Sequence, residues 1–168
     1  MRLYGGQVPI IAEEVLRVLT RSADLEVLEE NLPEVELDIQ SVLREYIRMD
    51  RELTERARDE AAKFGGSLMR AKKQFAREKN FQMDDPLGYI INQMIEAFLH
   101  SNFVEEVFSE DHELRKRIRP ILKRHMAIDE ELDREVRDKI KNIEEGSQAW
   151  DVEYQKVMGN LKRNKQLE

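Results

Sequence analysis

One charged phrase occurs twice in the chain, 79 residues apart. It reads MDRELTERARD over residues 49–59 and IDEELDREVRD over residues 128–138. The match extends without a gap, and between residues 39–64 and 118–143 it includes 7 identical positions of 26. Most of the other positions keep their apolar or polar character. Such an ungapped self-match indicates an internal repeat. The sequence therefore predicts two tandem units, residues 1–84 and residues 85–168.

Each unit is predicted to contain a short helix, a long helix and a third amphipathic helix. The short helices cover about 8–21 and 86–101, and the long helices about 34–64 and 112–144. In the first long helix, apolar residues recur at helical spacing. Charged residues make up 38% of the chain and are interleaved with the apolar ones, which is typical of helices with one solvated face. The predicted fold class is all-α, with tandem duplicated helical units.

Glycine and serine mark the ends of the long helices. Gly65-Gly66-Ser67 follows the first and Gly146-Ser147 follows the second. A serine after glycine is a plausible N-cap, so we predict that each serine starts the third helix of its unit. Asp85 before Pro86 likewise predicts the N-terminus of the second short helix. Beyond these turns the units match only with a shift of about ten residues, because the second carries the extra segment SQAWDVEYQK.

Composition narrows the cellular setting. The chain has no cysteine, which excludes a disulfide framework and thiolate metal sites and fits a reducing cytosol. No apolar run approaches the length of about 20 residues that spans a bilayer. The N-terminal apolar stretch contains acidic residues and lacks the order of a signal peptide. We therefore expect a cytoplasmic protein with no membrane partner.

Several of these phrases together resemble a known family. The opening MRL, the phrase DEELDREVRD, the third-helix stretch RAKKQFAREKNF and the ending EGSQAWDVEYQKVMGNLKR are similar to the bacterial family called domain of unknown function 507. The resemblance covers nearly the whole chain in two consecutive copies. It implies a small, cytosolic, helical bacterial protein and brings no assigned activity. The first unit departs from the pattern by lacking the WDVEY stretch, so its third helix is expected to dock differently.

Two equivalent aspartates are the candidate buried carboxylates. Asp50 and Asp129 occupy the same position in the repeat, and a helical wheel places Asp50 between Ile39 and Leu43 in the apolar stripe. A carboxylate there must be paired or hydrogen-bonded, because burying it alone is costly. Three interpretations stay open: each aspartate caps a neighbouring helix or pairs with an arginine, each is the N-cap at a break in the long helix, or each is functional. The first two are favoured.

A metal site or an active site has little support in the sequence. Glu52, Glu55 and Asp59 lie close on one helix face, but di-metal sites in helix bundles also use Glu-x-x-His motifs, which the chain lacks. A carboxylate metal-binding protein is therefore a minor alternative. No P-loop, nucleophile elbow or zinc-protease motif occurs. We expect no enzymatic activity, no cofactor, no metal and no small-molecule substrate.

A basic segment and an apolar stripe suggest two kinds of partner. Residues 65–84 carry five Lys or Arg against two Asp or Glu in a chain of net charge −7. The candidate basic patch comprises Arg70, Lys72, Lys73, Arg77, Lys79, Lys162 and Arg163. Basic residues beside Phe75 and Phe81 could bind RNA, although a solvated helix face is the favoured interpretation.

The apolar stripe lies at helical spacing near the C-terminus. It comprises Trp150, Tyr154, Val157, Met158 and Leu161. These residues share one helix face, and an exposed patch of that kind would be unusual. We expect the second unit itself to cover the stripe, the alternative being a partner. The predicted function is a non-enzymatic protein-interaction or scaffolding protein that binds another protein or itself, with association with nucleic acid as the less favoured alternative.

Overall fold

The computed structural model describes all residues from Met1 to Glu168 and is predominantly helical. The helices are α1 (Val8–Arg21), α2 (Leu32–Phe64), α3 (Leu68–Glu78), α4 (Pro86–His100), α5 (Asp111–Met126), α6 (Ile128–Lys139) and α7 (Gln148–Asn164). Short 3-10 turns precede α1 and α2. The all-α prediction is confirmed. No helix combines the length and the apolar character required to cross a bilayer.

The only strands are two residues long and were not predicted. Strand β1 (Leu25–Glu26) follows α1, and β2 (Glu106–Val107) follows α4. They pair antiparallel with Leu25 opposite Val107. Segments this short cannot show the alternation by which a strand is recognised in sequence. The pair ties the loop after α1 to the loop after α4.

The largest core is shared by the two halves of the chain. Helix α1 lies against α2 and α5, and α4 lies against α5 and α2. The resulting cluster of 22 buried residues includes Ile11 of α1, Leu43 of α2, Ile90 of α4 and Ile118 of α5. Each short helix therefore packs on the long helix of the other half as well as on its own.

Two helical hairpins extend from this core, and each has a small apolar cluster of its own. The first hairpin consists of the C-terminal half of α2 with α3, and the second consists of α6 with α7. The first cluster contains Leu53, Ala57, Phe75, Ala76 and Phe81. The second cluster contains Tyr4, Leu132, Val136, Ile140, Met158, Leu161 and Leu167.

The second long helix is broken beside Asp129, as one of the open interpretations of that residue had it, whereas the main prediction was one helix over 112–144. Helix α5 ends at Met126, α6 starts after Ala127, and α6 ends at Lys139. At the break, the Gln7 side-chain amide donates a 2.8 Å hydrogen bond to the carbonyl of His125, which in a continuous helix accepts from the backbone four residues on. A segment from the other end of the chain thus supplies the partner that the break removes. Helix α2 has no such break and passes through Asp50.

The predicted helix starts are confirmed. The Ser67 hydroxyl accepts from the backbone N–H of Arg70, and the Ser147 hydroxyl accepts from the N–H of Trp150. The Asp85 carboxylate accepts from the N–H of Gly88 at 3.0 Å. These caps satisfy backbone donors that a helix leaves free in its first turn.

A partly buried carboxylate joins α1 to α5. Glu14 accepts hydrogen bonds from Arg124 and from the His125 ring, the latter at 2.9 Å. Burial alone would raise the pKa of Glu14, but these hydrogen bonds outweigh burial and lower it below its usual value of 4.5. The interaction therefore stabilises the contact between α1 and α5 when Glu14 is ionised.

The shared core predicts a contrast between two leucines of α2. Leu43→Ala removes a fully buried side chain and is expected to lower the free energy of unfolding by about 2–5 kcal/mol. Leu37→Ala removes a side chain that is 51% exposed and is expected to change it by less than about 0.5 kcal/mol. Urea unfolding followed by circular dichroism measures both. Equal losses in the two variants would contradict the assigned core.

The Glu14 interaction predicts a pH-dependent loss of stability. A carboxyl group whose pKa is lower in the folded than in the unfolded protein stabilises the fold above the unfolded pKa, and the contribution is lost as pH falls through the folded pKa. Glu14→Gln is therefore expected to cost about 1 kcal/mol or more at neutral pH. The difference from the unmodified protein should shrink as pH falls below 4.5. Glu13→Gln, in an exposed pair with Arg17, is the control and should show no such dependence.

Candidate functional site

The two equivalent aspartates lie beside the same cavity. It has a volume of about 550 Å³, is partly open to solvent, and is lined by the first residues of the chain, α2, Lys72 of α3 and Asp129 of α6. Its lining residues are Met1, Arg2, Leu3, Tyr46, Ile47, Asp50, Arg51, Thr54, Glu55, Arg58, Lys72 and Asp129. The volume lies in the range of ligand pockets, but the lining is more charged than theirs usually is.

Asp50 is engaged within the first hairpin. The Lys72 ammonium of α3 donates to the Asp50 carboxylate at 2.7 Å. The Lys72 side chain is 16% exposed and the Asp50 side chain is 39% exposed. Asp50 is therefore half-buried and not buried as predicted. The expectation of a paired charge is met by a lysine and not by the arginine or helix N-terminus that we expected. The ion pair fixes α3 against α2.

Asp129 is engaged by the N-terminal segment. The buried Tyr4 hydroxyl donates a hydrogen bond to the Asp129 carboxylate. Burial, then this hydrogen bond and the charge of Asp129, raise the pKa of Tyr4 well above its usual value of 10.0. Asp129 is half-buried, and it is not an N-cap, because Ala127 holds that position and no side chain caps α6. Each aspartate thus anchors a different segment to its long helix.

The most buried carboxylate is one that sequence reasoning missed. Asp24 is 1% exposed and lies in the loop between α1 and β1. Its carboxylate accepts from the Ser109 hydroxyl and lies 2.6 Å from the Arg117 guanidinium of α5. An isolated loop residue has no periodicity, so its burial could not be predicted. Its contacts cross from one half of the chain to the other and support the shared core.

No group of three or more histidine, aspartate or glutamate side chains is arranged to hold a metal ion. Of the three acidic residues considered on α2, Glu52 is 2.7 Å from Arg48 and 3.4 Å from Lys79. Hydrogen bonds from Lys79 and Arg48 lower the pKa of Glu52. Glu52 is therefore part of a network of exposed ion pairs with Arg48 and Lys79.

The candidate basic patch is divided between the two hairpins. Lys72 pairs with Asp50, Lys79 with Glu52, and Lys162 with Glu168 at 3.6 Å. The remaining members are exposed and have no carboxylate within 4.0 Å; they are Arg70, Lys73, Arg77 and Arg163. Three of these four lie on α3. The free positive charge is thus concentrated on the first hairpin.

The apolar stripe of α7 is covered within the chain, by α6 and Tyr4. Met158 and Leu161 are buried, and Trp150, Tyr154 and Val157 are half-buried against the same cluster. Trp150 and Tyr154 stack with their ring centroids 5.1 Å apart. The stripe is therefore part of the second hairpin's core.

A charged network on α6 holds these two rings in place. The Tyr154 hydroxyl donates to Asp133 at 2.5 Å, and this hydrogen bond is the main cause of a lowered pKa at Asp133. Burial, then the same hydrogen bond, raises the pKa of Tyr154 to about 12. The Arg137 guanidinium lies 5.3 Å from the Trp150 ring centroid. Arg137 also pairs with Asp133 at 3.0 Å and with Glu145 at 2.5 Å.

The tip of the first hairpin is apolar and uncovered. Phe64, Leu68 and Met69 flank the turn between α2 and α3 and are 78%, 41% and 56% exposed. Gly65 and Gly66 make this turn with φ angles of 74° and 94°, which glycine adopts without strain. Sequence reasoning assigned no role to this tip. The sequence feature that indicates such a tip is a group of three large apolar residues next to two glycines.

These sites belong to a chain with a clear family match. Residues 1–167 match the family model described as Protein of unknown function (DUF507). The chain belongs to this family. The resemblance noted in the sequence is confirmed at the level of the family. No curated protein matches the chain.

The network around Arg137 predicts unequal effects of two equivalent arginines. Arg137→Gln removes two ion pairs and the cation–π contact with Trp150 and is expected to lower the midpoint of thermal unfolding. Arg58 lies 79 residues earlier, at the matching position of the sequence on α2, but has no carboxylate within 4.0 Å, so Arg58→Gln should leave the midpoint unchanged. Calorimetry of both variants provides the measurement. Equal shifts would show that the network contributes no stability.

Proposed function

We propose that this member of the DUF507 family is a non-enzymatic protein-interaction module, whose partner docks on the tip of the first hairpin. The exposed apolar group Phe64, Leu68 and Met69 carries the proposal. An apolar patch with a polar rim is typical of a protein-binding surface on an otherwise charged molecule. The bacterial cytoplasm is the proposed setting.

The tip is suited to docking because the hairpin beneath it is held in several places. Phe75 packs in the cluster below the tip, and the Arg56 guanidinium lies 3.8 Å from its ring centroid. Lys72 pairs with Asp50 further down the hairpin. A preorganised surface loses less conformational freedom on binding, which favours affinity. The tip is therefore presented on a rigid support.

The charge around the tip favours a different protein over a second copy. Lys63 and Arg70 flank the apolar residues, and neither has a carboxylate within 4.0 Å. A symmetric contact between two tips would place these like charges together, which is unfavourable. A partner with acidic residues around an apolar groove would complement them.

The role of the aspartates supports a non-catalytic interpretation. Asp50 and Asp129 are each engaged by a partner that fixes a segment of the fold, namely Lys72 and Tyr4. Replacing either aspartate would remove an anchor between elements. Their equivalent positions are explained by this anchoring without any reaction.

We also propose that the chain arose by tandem duplication, with residues 1–84 and 85–168 as the two copies. Equivalent positions of the long helices, Leu53 with Ala57 and Leu132 with Val136, contribute to the two hairpin clusters. Asp38 and Arg117 are also 79 residues apart and both make contacts between the halves. Asp38 accepts a hydrogen bond from Ser101, in the loop after α4, and Arg117 pairs with Asp24, in the loop after α1. The antiparallel pairing of β1 with β2 agrees with a two-fold relation.

Nucleic-acid binding is the alternative function, and one observation favours it. Arg70, Lys73 and Arg77 leave free positive charge on α3. The two proposals differ in their response to salt, because binding through phosphates weakens steeply as salt increases and an apolar contact changes little.

The proposal predicts that the tip is required for association and not for folding. The triple variant Phe64→Ser, Leu68→Ser and Met69→Ser should unfold at the midpoint of the unmodified protein and lose its protein partner. Leu37→Ser, at another exposed apolar position of α2, is the matched control and should retain it. Crosslinking in the native cell followed by quantitative mass spectrometry compares the three proteins.

Two results would contradict the tip as the docking site. One is an identical set of partners for the triple variant and the control. The other is that the associated material is nucleic acid and dissociates steeply with salt, which would instead support the alternative function.

A further inference from the structure

The two short strands form a ribbon with an inner and an outer face. Leu25 of β1 lies opposite Val107 of β2. Leu25 is buried, and Val107 packs against the shared core. Side chains alternate between the two faces of a strand, so the next pair, Glu26 opposite Glu106, points away from the core. Both glutamates are exposed, and the outer face of the ribbon is open to solvent.

The glutamate pair on this outer face is electrostatically unfavourable. Residues directly opposite each other in antiparallel strands have their Cβ atoms about 5 Å apart, and like charges there destabilise the pairing. Neither Glu26 nor Glu106 has a lysine or arginine within 4.0 Å. Exposed Glu105, whose N–H donates a 2.9 Å hydrogen bond to the Glu26 carbonyl, adds a third carboxylate without such a partner. The ribbon thus brings together negative charge that the fold does not neutralise.

Neighbouring elements do not supply the missing positive charge. The chain has 28 Lys and Arg residues, but none occurs in residues 22–43 or 80–114. These two segments contain both strands, the N-terminal part of α2 and all of α4, together with seven and eight Asp or Glu residues. Just outside them, Arg117 of α5 is engaged by the buried Asp24, and Arg21 at the end of α1 forms no ion pair. This end of the molecule therefore keeps an unbalanced negative charge.

Two exposed apolar side chains flank the glutamate pair on the same face. Phe108 follows Glu106 by two residues, is 62% exposed, and still pairs with the first strand through its N–H. Leu28 follows Glu26 by two residues, has an extended backbone and is 46% exposed, whereas Val27 between them packs against the core. Along the ribbon, Phe108 and Leu28 are separated by about 13 Å. We call this group the ribbon surface; it comprises Glu26, Leu28, Glu106 and Phe108.

The chemistry of the ribbon surface selects among ligands. No group of three or more acidic or histidine side chains is arranged to hold a metal ion. A nucleic acid or an anionic membrane would bring like charge to the glutamates, and the net charge of −7 adds to the repulsion. A small free cation would leave Phe108 and Leu28 exposed. A polypeptide segment with basic and apolar side chains complements both the charge and the apolar residues.

We propose that the ribbon surface is a docking site for a segment of another protein in which lysine or arginine stands next to apolar residues. The basic groups pair with Glu26 and Glu106, and the apolar side chains cover Phe108 and Leu28. Binding relieves the repulsion between the two glutamates. The inference goes beyond the proposed function, because the ribbon precedes α2 and the apolar tip follows it, about 50 Å away along that helix. Either surface can fail without the other.

Charge reversal at the ribbon distinguishes a binding role from a structural one. Glu26→Lys places a positive charge opposite Glu106 and is expected to raise the midpoint of thermal unfolding by about 1–4 °C. The same variant is expected to lose binding of a basic peptide. A structural role for Glu26 predicts the opposite shift. Calorimetry provides the measurement, and an unchanged or lower midpoint would show that the glutamate pair is not unfavourable, which would overturn the inference.

The binding probe is a fluorescein-labelled peptide of sequence GKLRFKG, titrated with the full-length protein and followed by fluorescence anisotropy. The double variant Glu26→Gln and Glu106→Gln is expected to weaken binding about threefold to tenfold, as for the loss of two exposed ion pairs. The double variant Glu60→Gln and Glu144→Gln removes the same charge from exposed, unpaired glutamates outside the ribbon and should bind like the unmodified protein.

The apolar part of the ribbon surface has its own matched control. Phe108→Ser is expected to weaken binding of the peptide. Val152→Ser, at a position of α7 that is 61% exposed, should not. A second peptide, in which serine replaces leucine and phenylalanine, should bind more weakly than the first.

The outcomes separate this surface from the tip and from unspecific attraction. Loss of binding in the ribbon variants, with binding retained in the triple tip variant, supports the inference whether or not the tip has a partner. Absence of saturable binding would overturn it, as would equal losses in the two double glutamate variants or equal binding of the two peptides. Self-association of the unmodified protein that is lost both in Glu26→Lys and in the triple tip variant would replace the other protein by a second copy, which also overturns it.

Discussion

The structure depends on the packing of each short helix against the long helix of the other half. Helix α1 lies on α5 and α4 lies on α2, so that one apolar core of 22 residues holds both halves together. Burial of apolar surface is the main stabilising contribution to such a core. The core contains apolar residues only from the N-terminal part of α2. The apolar residues of its C-terminal part, Leu53 and Ala57, must therefore be buried by another helix. Helix α3 of the first hairpin supplies this cover.

The segments that precede the short helices also reach the hairpins, and the N-terminal segment crosses to the other half. Tyr4, just before α1, belongs to the cluster of the second hairpin, whereas Phe81, shortly before α4, belongs to that of the first. Each short helix is therefore preceded by an aromatic anchor in one hairpin. Gln7 follows Tyr4 in the same N-terminal segment, and its side-chain amide donates a hydrogen bond to the carbonyl of His125 at the break between α5 and α6. This contact lies at the point where the second long helix is broken, whereas α2 is continuous from Leu32 to Phe64.

Local chemistry made much of the fold predictable. Helical spacing and the caps Ser67, Asp85 and Ser147 fixed where helices start, since these signals act within a few residues. A break beside Asp129 was one of the open interpretations of the sequence, but local signals could not decide it, and the Gln7 amide that meets the His125 carbonyl there lies 118 residues away in the chain. For the same reason sequence reasoning placed Asp50 and Asp129 on the apolar stripe but could not name Lys72 and Tyr4. Burial of Asp24 also depends on distant residues, Arg117 and Ser109.

Residues at matching positions of the two long helices make different polar contacts, although both third helices pack on the same apolar positions, Leu53 with Ala57 and Leu132 with Val136. Helix α3 contacts Asp50 and Arg56 of α2 through Lys72 and Phe75, whereas α7 contacts Asp133 and Arg137 of α6 through Tyr154 and Trp150. The longer α7 packs its aromatic stripe against α6, and the hairpin with the shorter α3 leaves the apolar residues of its tip exposed. Ordering a segment that is already part of the chain costs less than capturing one from solution. A segment of the same chain therefore keeps the aromatic stripe of α7 covered, whereas no segment of the chain covers the apolar tip between α2 and α3.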